Sequence, residues 1–313
     1  MLTSRGYYIK KKDADENSIR KDLYVCPIVD CVTVVQRYKV FRESPESFIL
    51  PRFYGIQKHG DNSKISKGIE IINTKFNGAL RSATNQPEAV EKTLAHLRTH
   101  KGGILSLPTG YGKTTVALYI LSQLKQRTII FVHKEFLMNQ WIEKIEQFLP
   151  EMKIGKIQGT VVDTVGKDVV IAMLQSVCMK DYQKDTFEGF GFTIIDETHH
   201  ICTRTFSKIF FRLNTFYVLG LSATLERKDG LTKVIHWFIG DVCYSIVRTN
   251  QTHVTVQKIK YKNEIYIDDF PVNRMKKPSI VEAISILVNL EDRNTTIIKH
   301  ILKCCQMNRK ILV

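Results

Sequence analysis

The sequence lacks several features that would assign it to a membrane, secreted or metal-stabilised class of protein. No apolar run approaches the roughly 18 residues that a membrane-spanning helix needs, and the opening MLTSRGYYIKKK has no apolar core of a secretory signal. The seven cysteines include no Cys-x-x-Cys pair, which argues against a disulfide framework, structural zinc or an iron–sulfur cluster. We therefore expect an intracellular protein of a reducing compartment, with no membrane partner.

The chain also lacks internal repeats and low-complexity tracts, and it is short of acidic residues. Lys and Arg number 46 against 31 Asp and Glu, which gives a formal net charge of +15. This excess favours a polyanionic partner such as nucleic acid. Solubility alone is an equal alternative explanation of the charge. The 313 residues, 43% hydrophobic and 25% charged, allow a sizeable core in two or three domains.

One stretch organises the rest of the chain: Ile104 to Leu118 reads ILSLPTGYGKTTVAL. An apolar run typical of a buried strand ends at a Gly-bearing loop, and helical sequence resumes from Lys113. This is the pattern of a phosphate-binding loop. It departs from the usual motif at Leu107, where Gly is expected. A tight turn that merely contains a lysine is the alternative interpretation.

The loop predicts how each of its residues would hold ATP and Mg²⁺. Glycines let backbone N–H groups face a phosphate, and the helix N-terminus adds further donors. Lys113 would reach the β and γ phosphates, and the Thr114 hydroxyl would be a ligand of Mg²⁺. The predicted ATP-binding residues of the loop are Thr109, Gly110, Tyr111, Gly112, Lys113, Thr114 and Thr115.

A second motif supports the first. The chain later reads FTIIDETHH, a mostly apolar run that ends in Asp196 and Glu197. Asp196 would hold Mg²⁺, and Glu197 would orient or deprotonate the attacking water. Because both motifs occur in order, each at the end of a predicted strand, the tight-turn alternative becomes improbable.

The pattern along the chain predicts an α/β fold with a doubly wound parallel sheet, because buried strands alternate with amphipathic helices. Residues 1–78 differ from this pattern, and we expect a small β-containing N-terminal domain there. Residues 79–245 would form the ATP-binding domain. Residues 246–313 would form a linker and the start of an incomplete second domain of the same kind.

Two groups of residues outside the motifs have two interpretations each. Gln86, ahead of a predicted helix, would recognise the adenine edge or would simply begin that helix. Arg52, Phe53 and Tyr54 would contact nucleic acid by charge and stacking, or would pack at the edge of the N-terminal domain.

The motifs together resemble the first RecA-like motor domain of superfamily 2 (DExH) helicases. LPTGYGKT resembles motif I, FVHKEFLMNQW motif Ia, DETH motif II and SAT motif III. DETHHICTRTFSKIF and LGLSATLERKDGLTKVIHWFIG are most similar to the XPB-like branch, in particular to the transcript-release DNA helicases of large cytoplasmic DNA viruses. The resemblance covers most of 69–313 and is weaker for 1–68.

The resemblance implies further residue roles. His199 would join Lys113, Asp196 and Glu197 as catalytic residues, with a core histidine as the alternative. Ser222, Ala223 and Thr224 would couple hydrolysis to domain closure, unless they only cap a helix. Nucleic acid would be contacted by residues that are otherwise solvated loop positions: His133, Lys134, Gly159, Gln175, Ser176 and Arg227.

The resemblance also implies a function and a setting. We expect an ATP-dependent helicase or translocase that acts on DNA in transcript release, termination or repair. RNA polymerase or other transcription factors would be partners, and the site of action would be the host cytoplasm or the virion. A non-catalytic nucleic-acid-binding fragment and a P-loop ATPase without unwinding activity are the alternatives. A GTPase would need an Asn-Lys-x-Asp element, which the sequence lacks.

Three departures from the family pattern affect these expectations. The element after motif III reads Arg227-Lys228-Asp229 rather than Arg-Glu-Asp, and Arg81 precedes Gln86 by five positions rather than three. Motifs V and VI, with the arginine finger, are absent from the sequence. We therefore expect the 313-residue chain to bind ATP and to hydrolyse it slowly.

Overall fold

A computed structural model of the protein describes residues 1–28, 37–203, 205–224, 229–247, 258–261, 271–272 and 279–307. The chain divides into two compact units, Met1–Thr249 and Asn250–Val313. The boundary at 249 lies close to the predicted boundary at 245. The predicted boundary at 78 has no counterpart in this division and stays a prediction.

The N-terminal part of the first unit is built on small antiparallel sheets. One sheet has the order β1-β2-β6-β5, and β3 pairs with β4. The strands are β1 (Leu2–Thr3), β2 (Gly6–Lys10), β3 (Tyr24–Val25), β4 (Tyr38–Lys39), β5 (Arg42–Glu43) and β6 (Ser47–Leu50). The helices are α1 (Glu16–Leu23) and α2 (Arg52–His59), with a 3-10 turn at Lys11–Asp13. The predicted β content of this region is confirmed.

Helix α2 lies directly on strand β2 because Gly55 has no side chain. A Cβ atom at Gly55 would overlap the buried ring of Tyr7. At the start of the same helix, the Arg52 guanidinium donates to the carbonyls of Thr215 (2.8 Å) and Phe216 (3.2 Å). Arg52 is 4% exposed. Packing is therefore the role of Arg52, and the alternative of nucleic-acid contact through this side chain is wrong.

The rest of the first unit is an eight-stranded sheet of order β10-β9-β11-β8-β12-β13-β7-β14. All neighbours are parallel except β9 and β10. The strands are β7 (Gly102–Ser106), β8 (Thr128–Val132), β9 (Ile154–Gln158), β10 (Val161–Val162), β11 (Val169–Met173), β12 (Phe192–Ile195), β13 (Tyr217–Ser222) and β14 (Val242–Ser245). The predicted doubly wound parallel sheet is confirmed.

Helices connect these strands and cover both faces of the sheet. They are α3 (Gln86–His100), α4 (Lys113–Leu124), α5 (Glu135–Phe148), α6 (Leu174–Met179) and α7 (Thr232–Ile239). Shorter 3-10 helices span Ser82–Thr84, Lys184–Phe187, Thr198–Cys202 and Phe206–Phe211.

Alternation along the central strands divides the core into two clusters, one on each face of the sheet. In β8, Ile129 and Phe131 belong to one cluster, while Ile130 and Val132 belong to the other. The first cluster also contains Phe48 and other residues of the N-terminal sheet. The N-terminal region therefore covers one face of the eight-stranded sheet (the motor sheet) and shares its hydrophobic core.

The described residues of the second unit include two helices, α8 (Ile280–Val288) and α9 (Glu291–Gln306). Ser279 caps α8 by accepting a hydrogen bond from Glu282 N (3.3 Å). The assignment of residues 246–313 to a linker and the start of a second domain of the same kind stays a prediction. No helix in the described parts of the chain has the length and apolarity to cross a membrane.

Candidate ATP and nucleic-acid site

The phosphate-binding loop leaves the carboxyl end of β7 and leads into α4. Leu107 is fully buried in the core, and its N–H donates to the Ser222 carbonyl at 3.1 Å. This packing role explains why an apolar residue stands where the usual motif has Gly. The Lys113 amine donates to the Leu107 carbonyl at 3.2 Å, so the lysine lies over the loop.

The two glycines of the loop have backbone conformations that favour glycine. The φ angles are +87° at Gly110 and +83° at Gly112. Gly110 lies in open space, and Gly112 precedes the first residue of α4. No side chain caps that helix end, so its first N–H groups point towards the loop as donors. The loop therefore fits a phosphate group.

Gln86 supports this loop from the start of α3. Its side chain is completely buried, its Oε1 accepts from Arg81 N (2.8 Å), and its Nε2 donates to the Tyr111 carbonyl (2.9 Å). A Cβ atom at Gly112 would collide with the same amide. The side chain thus links α3 to the loop, and adenine recognition by Gln86 remains a prediction.

Asp196 follows β12 and is 8% exposed. Its Oδ2 accepts a hydrogen bond from the buried Trp141 indole (2.9 Å), and its Oδ1 accepts from Glu197 N (3.0 Å). Burial raises the pKa of Asp196, whereas the Trp141 bond and the charge of Lys113 oppose that rise. The carboxylate is therefore fixed in orientation and lies within the electrostatic influence of the loop lysine.

Trp141 is one residue of this site that the sequence did not reveal as functional. Its place in an amphipathic helix predicts that it faces inward, and it is 1% exposed. Periodicity gives no sign that its N–H reaches a carboxylate 55 positions later. The only hint is a buried tryptophan itself, because its indole N–H usually needs an acceptor.

Glu197 has a backbone conformation that residues with side chains rarely adopt, with φ at +51°. Its Oε2 lies 3.4 Å from His199 Nδ1. Backbone strain of this kind often occurs at functional sites. The DETH motif therefore forms a strained turn in which the predicted water-orienting carboxylate and His199 are neighbours.

Three histidines meet beside this turn. The His200 ring lies 3.9 Å from that of His133 and 4.2 Å from that of His199, measured between centroids. Burial is the largest cause that lowers the pKa of His133, and the charge of Lys134 adds to it. His133 was predicted to contact nucleic acid, yet it lies against the DETH turn. His200, which had no predicted role, connects the two.

The loop after β13 is closed by its own residues. The buried Ser222 hydroxyl donates to the Thr224 carbonyl and accepts from Thr224 N at 3.2 Å, with Ala223 between them. Strand β13 contacts the DETH turn at Gly220 instead. A Cβ atom at Gly220 would collide with the buried Thr198 side chain, so the two segments lie in direct contact there. Coupling by Ser222 and Thr224 remains a prediction, and Thr198 is a contact that the motifs did not indicate.

The predicted nucleic-acid residues are only partly brought together. Gly159 N donates to Ser176 Oγ at 3.0 Å, and the Lys180 amine donates to the Gly159 carbonyl at 2.6 Å. Gln175 is exposed beside Ser176 in the first turn of α6. Lys180, which no motif indicated, adds a cation to this group.

Two other predicted contacts stand apart from that group. Lys134 is exposed before α5, with its amine 5.7 Å from the centre of the Phe136 ring. Arg227 lies outside the described residues, as does Lys228 of the same element.

The chain is similar in sequence to known proteins. Residues 80–227 match the family model of the type III restriction enzyme, res subunit. A protein of Acanthamoeba polyphaga mimivirus, named as an ATP-dependent RNA helicase, is 30% identical over 99% of this chain and 62% of its own length. A protein of African swine fever virus with the same kind of name is 30% identical over 65% of this chain and 41% of its own length.

The fold has a match among solved structures. The UvsW helicase from bacteriophage T4 has a TM-score of 0.51 and 18% identity, over 74% of this chain and 94% of that one. The chain spans less than two thirds of the length of the two viral relatives. The motifs, the fold and these relatives agree, and the chain is similar to superfamily 2 helicases of the type found in large DNA viruses.

Proposed function

We propose that this chain is the ATP-binding part of a helicase or translocase that couples ATP hydrolysis to movement along nucleic acid. The observation that carries the proposal is the arrangement at the carboxyl edge of the sheet. Lys113 lies over an open phosphate-binding loop, and its charge reaches a buried Asp196 that Trp141 holds in place. This arrangement supports phosphoryl transfer, because catalysis of that reaction depends mainly on positioning the reacting groups and on stabilising their negative charge.

Each group at this edge has a defined part in the proposal. The N–H groups of the loop and of the start of α4 would bind phosphate oxygens, and Lys113 would leave the Leu107 carbonyl to meet the β and γ phosphates. Thr114 and Asp196 would hold Mg²⁺, which when bound neutralises charge on the phosphates. Glu197 would accept a proton from the attacking water, and His199 would orient that carboxylate.

We propose DNA as the nucleic acid and transcript release, termination or repair as the process. The XPB-like motifs and the net charge of +15 support a DNA partner. RNA polymerase or other transcription factors are the proposed protein partners, and the host cytoplasm or the virion is the proposed location. RNA is the competing substrate, because the mimivirus and African swine fever virus relatives are named as RNA helicases.

The first test replaces the loop lysine. Lys113→Ala should abolish binding of Mg·ATP in calorimetric titration, because it removes the cation that faces the phosphates. Lys144→Ala, at an exposed position of α5, removes the same charge and should bind as the native chain does. Undiminished ATP binding by Lys113→Ala would contradict the assignment of the site.

The second test measures ATP turnover with single-stranded DNA, duplex DNA and RNA. Stimulation by DNA above that by RNA is the expected result. Stronger stimulation by RNA would leave the ATPase assignment in place and would contradict the choice of DNA. Turnover that no nucleic acid changes would favour an ATPase without motor activity.

A further inference from the structure

A second cleft lies at the opposite edge of the motor sheet, away from the ATP site. It has a volume of about 810 Å³. Residues just before β12, such as Gly189, and just before β13, such as Asn214, line it together with residues of the N-terminal sheet. The cleft therefore opens at the amino ends of the strands, whereas the phosphate-binding loop follows a carboxyl end.

The cleft concentrates positive charge. Arg5 from the β1–β2 turn, Arg42 from β5, Lys64 and Arg212 all line it. Burial lowers the pKa of Arg42, and the charges of Arg212 and Arg5 lower it further. Arg42 is thus close enough to Arg212 and Arg5 to be repelled by both, and an anion at this point would relieve that repulsion.

Carboxylates within the cleft neutralise only one of these cations. Arg212 pairs with the exposed Asp181 at 3.2 Å. Within the described parts of the chain, Arg5, Arg42 and Lys64 form no ion pair. Phe211 holds the Arg42 guanidinium in place, at 5.5 Å from its ring centre. Arg42 is therefore positioned but not neutralised.

A tyrosine with a buried hydroxyl lies beside the cations of the cleft. The Tyr182 hydroxyl is buried at the cleft and has no hydrogen-bond partner among the described residues. The Tyr182 ring packs against Phe187, with centroids 5.5 Å apart, which fixes the direction of the hydroxyl. Because this hydroxyl is shielded from the cleft surface, the exposed cations carry the affinity for an anion.

We propose that this cleft binds phosphate groups of the nucleic-acid backbone, as a second contact separate from the ATP edge. Guanidinium groups match the oxygens of a phosphate with two parallel hydrogen bonds. A polymer with a charge on every residue satisfies several cations at once, and Arg5, Arg42 and Lys64 are all exposed to it. The contact carries affinity without sequence choice. This proposal rests on the proposed function, because it takes nucleic acid as the partner.

The test removes two cations from the cleft. Arg5→Ala/Arg42→Ala should weaken binding of a fluorescent DNA 20-mer about 100-fold, since each of the two lost charge-assisted hydrogen bonds contributes about tenfold to the affinity. The slope of log affinity against log salt should become shallower by about 2, roughly 1 for each lost phosphate contact. Fluorescence anisotropy at several salt concentrations measures both.

Two control variants separate the cleft from general charge and from folding. Arg98→Ala/Lys144→Ala removes the same net charge from exposed helix positions and should change the affinity and the slope much less. Arg5→Lys/Arg42→Lys keeps the charge and should retain most of the slope. Equal losses in the cleft variant and the helix variant would overturn the proposal, as would a Lys variant that behaves like the Ala variant.

Failure of this inference differs from failure of the proposed function. ATP binding should be unchanged in Arg5→Ala/Arg42→Ala, because the cleft lies at the other edge of the sheet. A native chain that binds no DNA or RNA would contradict the proposed function and this inference together. Thermal stabilisation by inorganic phosphate that the Ala variant loses, with unchanged DNA affinity, would overturn the proposal and assign the cleft to a free phosphate ligand.

Discussion

The hydrogen bond from Trp141 to Asp196 offers the sharpest test of the ATP site. Trp141→Phe keeps an aromatic ring in the core and removes the N–H that donates to Asp196 Oδ2 at 2.9 Å. Because Asp196 is buried, no water replaces that donor easily. The carboxylate would then lose the bond that fixes its direction and opposes the rise of its pKa.

The size of the effect follows from the proposal that Asp196 holds Mg²⁺ and that Trp141 orients its carboxylate. Loss of such a partner typically weakens metal affinity about 10- to 100-fold, which corresponds to about 1.4–2.7 kcal/mol. We therefore expect the Mg²⁺ concentration for half-maximal ATP binding to rise by that factor. Stability should also fall by about 1.5–3 kcal/mol for the lost bond to a charged group, with a further cost for the smaller ring.

The assay is a Mg²⁺ titration of ATP binding, with binding in the absence of Mg²⁺ as the reference. Trp237→Phe is the matched control, because Trp237 is the other tryptophan of the chain and packs against Tyr54 at 5.6 Å. It should leave the Mg²⁺ requirement unchanged. An equal requirement in Trp141→Phe and Trp237→Phe would refute the positioning role, even if Trp141→Phe is less stable.

Two further predictions concern the attachment of the N-terminal region to the motor sheet. Arg52→Met should lower the free energy of unfolding in urea by about 1–3 kcal/mol, because two main-chain carbonyls lose a buried charged donor; an unchanged midpoint would show that those carbonyls find other donors. Gly55→Ala should cost about 1–3 kcal/mol by forcing α2 away from Tyr7. A variant as stable as the native chain would mean that this contact can relax freely.

The parallel sheet could be predicted from the sequence because its strands are short, apolar and buried on both faces. Runs such as 128–132 contain only apolar and β-branched residues, and all five positions of β8 are buried. Parallel strands align their carboxyl ends, so motifs that follow strands come together even when they are distant in sequence. The proximity of Lys113 to Asp196 could therefore be predicted from local sequence patterns.

Contacts made by single side chains across long distances could not be predicted in the same way. Periodicity indicated that Trp141 is buried but not that it meets Asp196, and Arg52 reaches carbonyls more than 160 positions later. Local composition gave Arg52 two equal interpretations, because a cation beside aromatic residues suits both nucleic acid and a buried carbonyl. Only the packing of α2 against the start of β13 distinguishes them.

The two edges of the motor sheet must attract anions by different physical means. In a parallel α/β sheet the helices run opposite to the strands, so helix N-termini with their free N–H groups lie at the carboxyl edge. Helix C-termini and exposed carbonyls lie at the amino edge, which would repel a phosphate. Anion binding there requires full positive charges from side chains.

Arginines supply those charges, and most of them are already engaged. Arg127 donates to the carbonyls of Lys167 and Glu188, both at or near this edge. Arg52 and Arg212 likewise donate to main-chain carbonyls. These three groups neutralise the edge itself. Arg5 and Arg42 come from the N-terminal sheet and make no such bonds within the described residues. The N-terminal sheet therefore adds positive charges, unpaired in the described part of the chain, to an edge that is otherwise neutralised, and these are the charges proposed to bind a phosphate backbone.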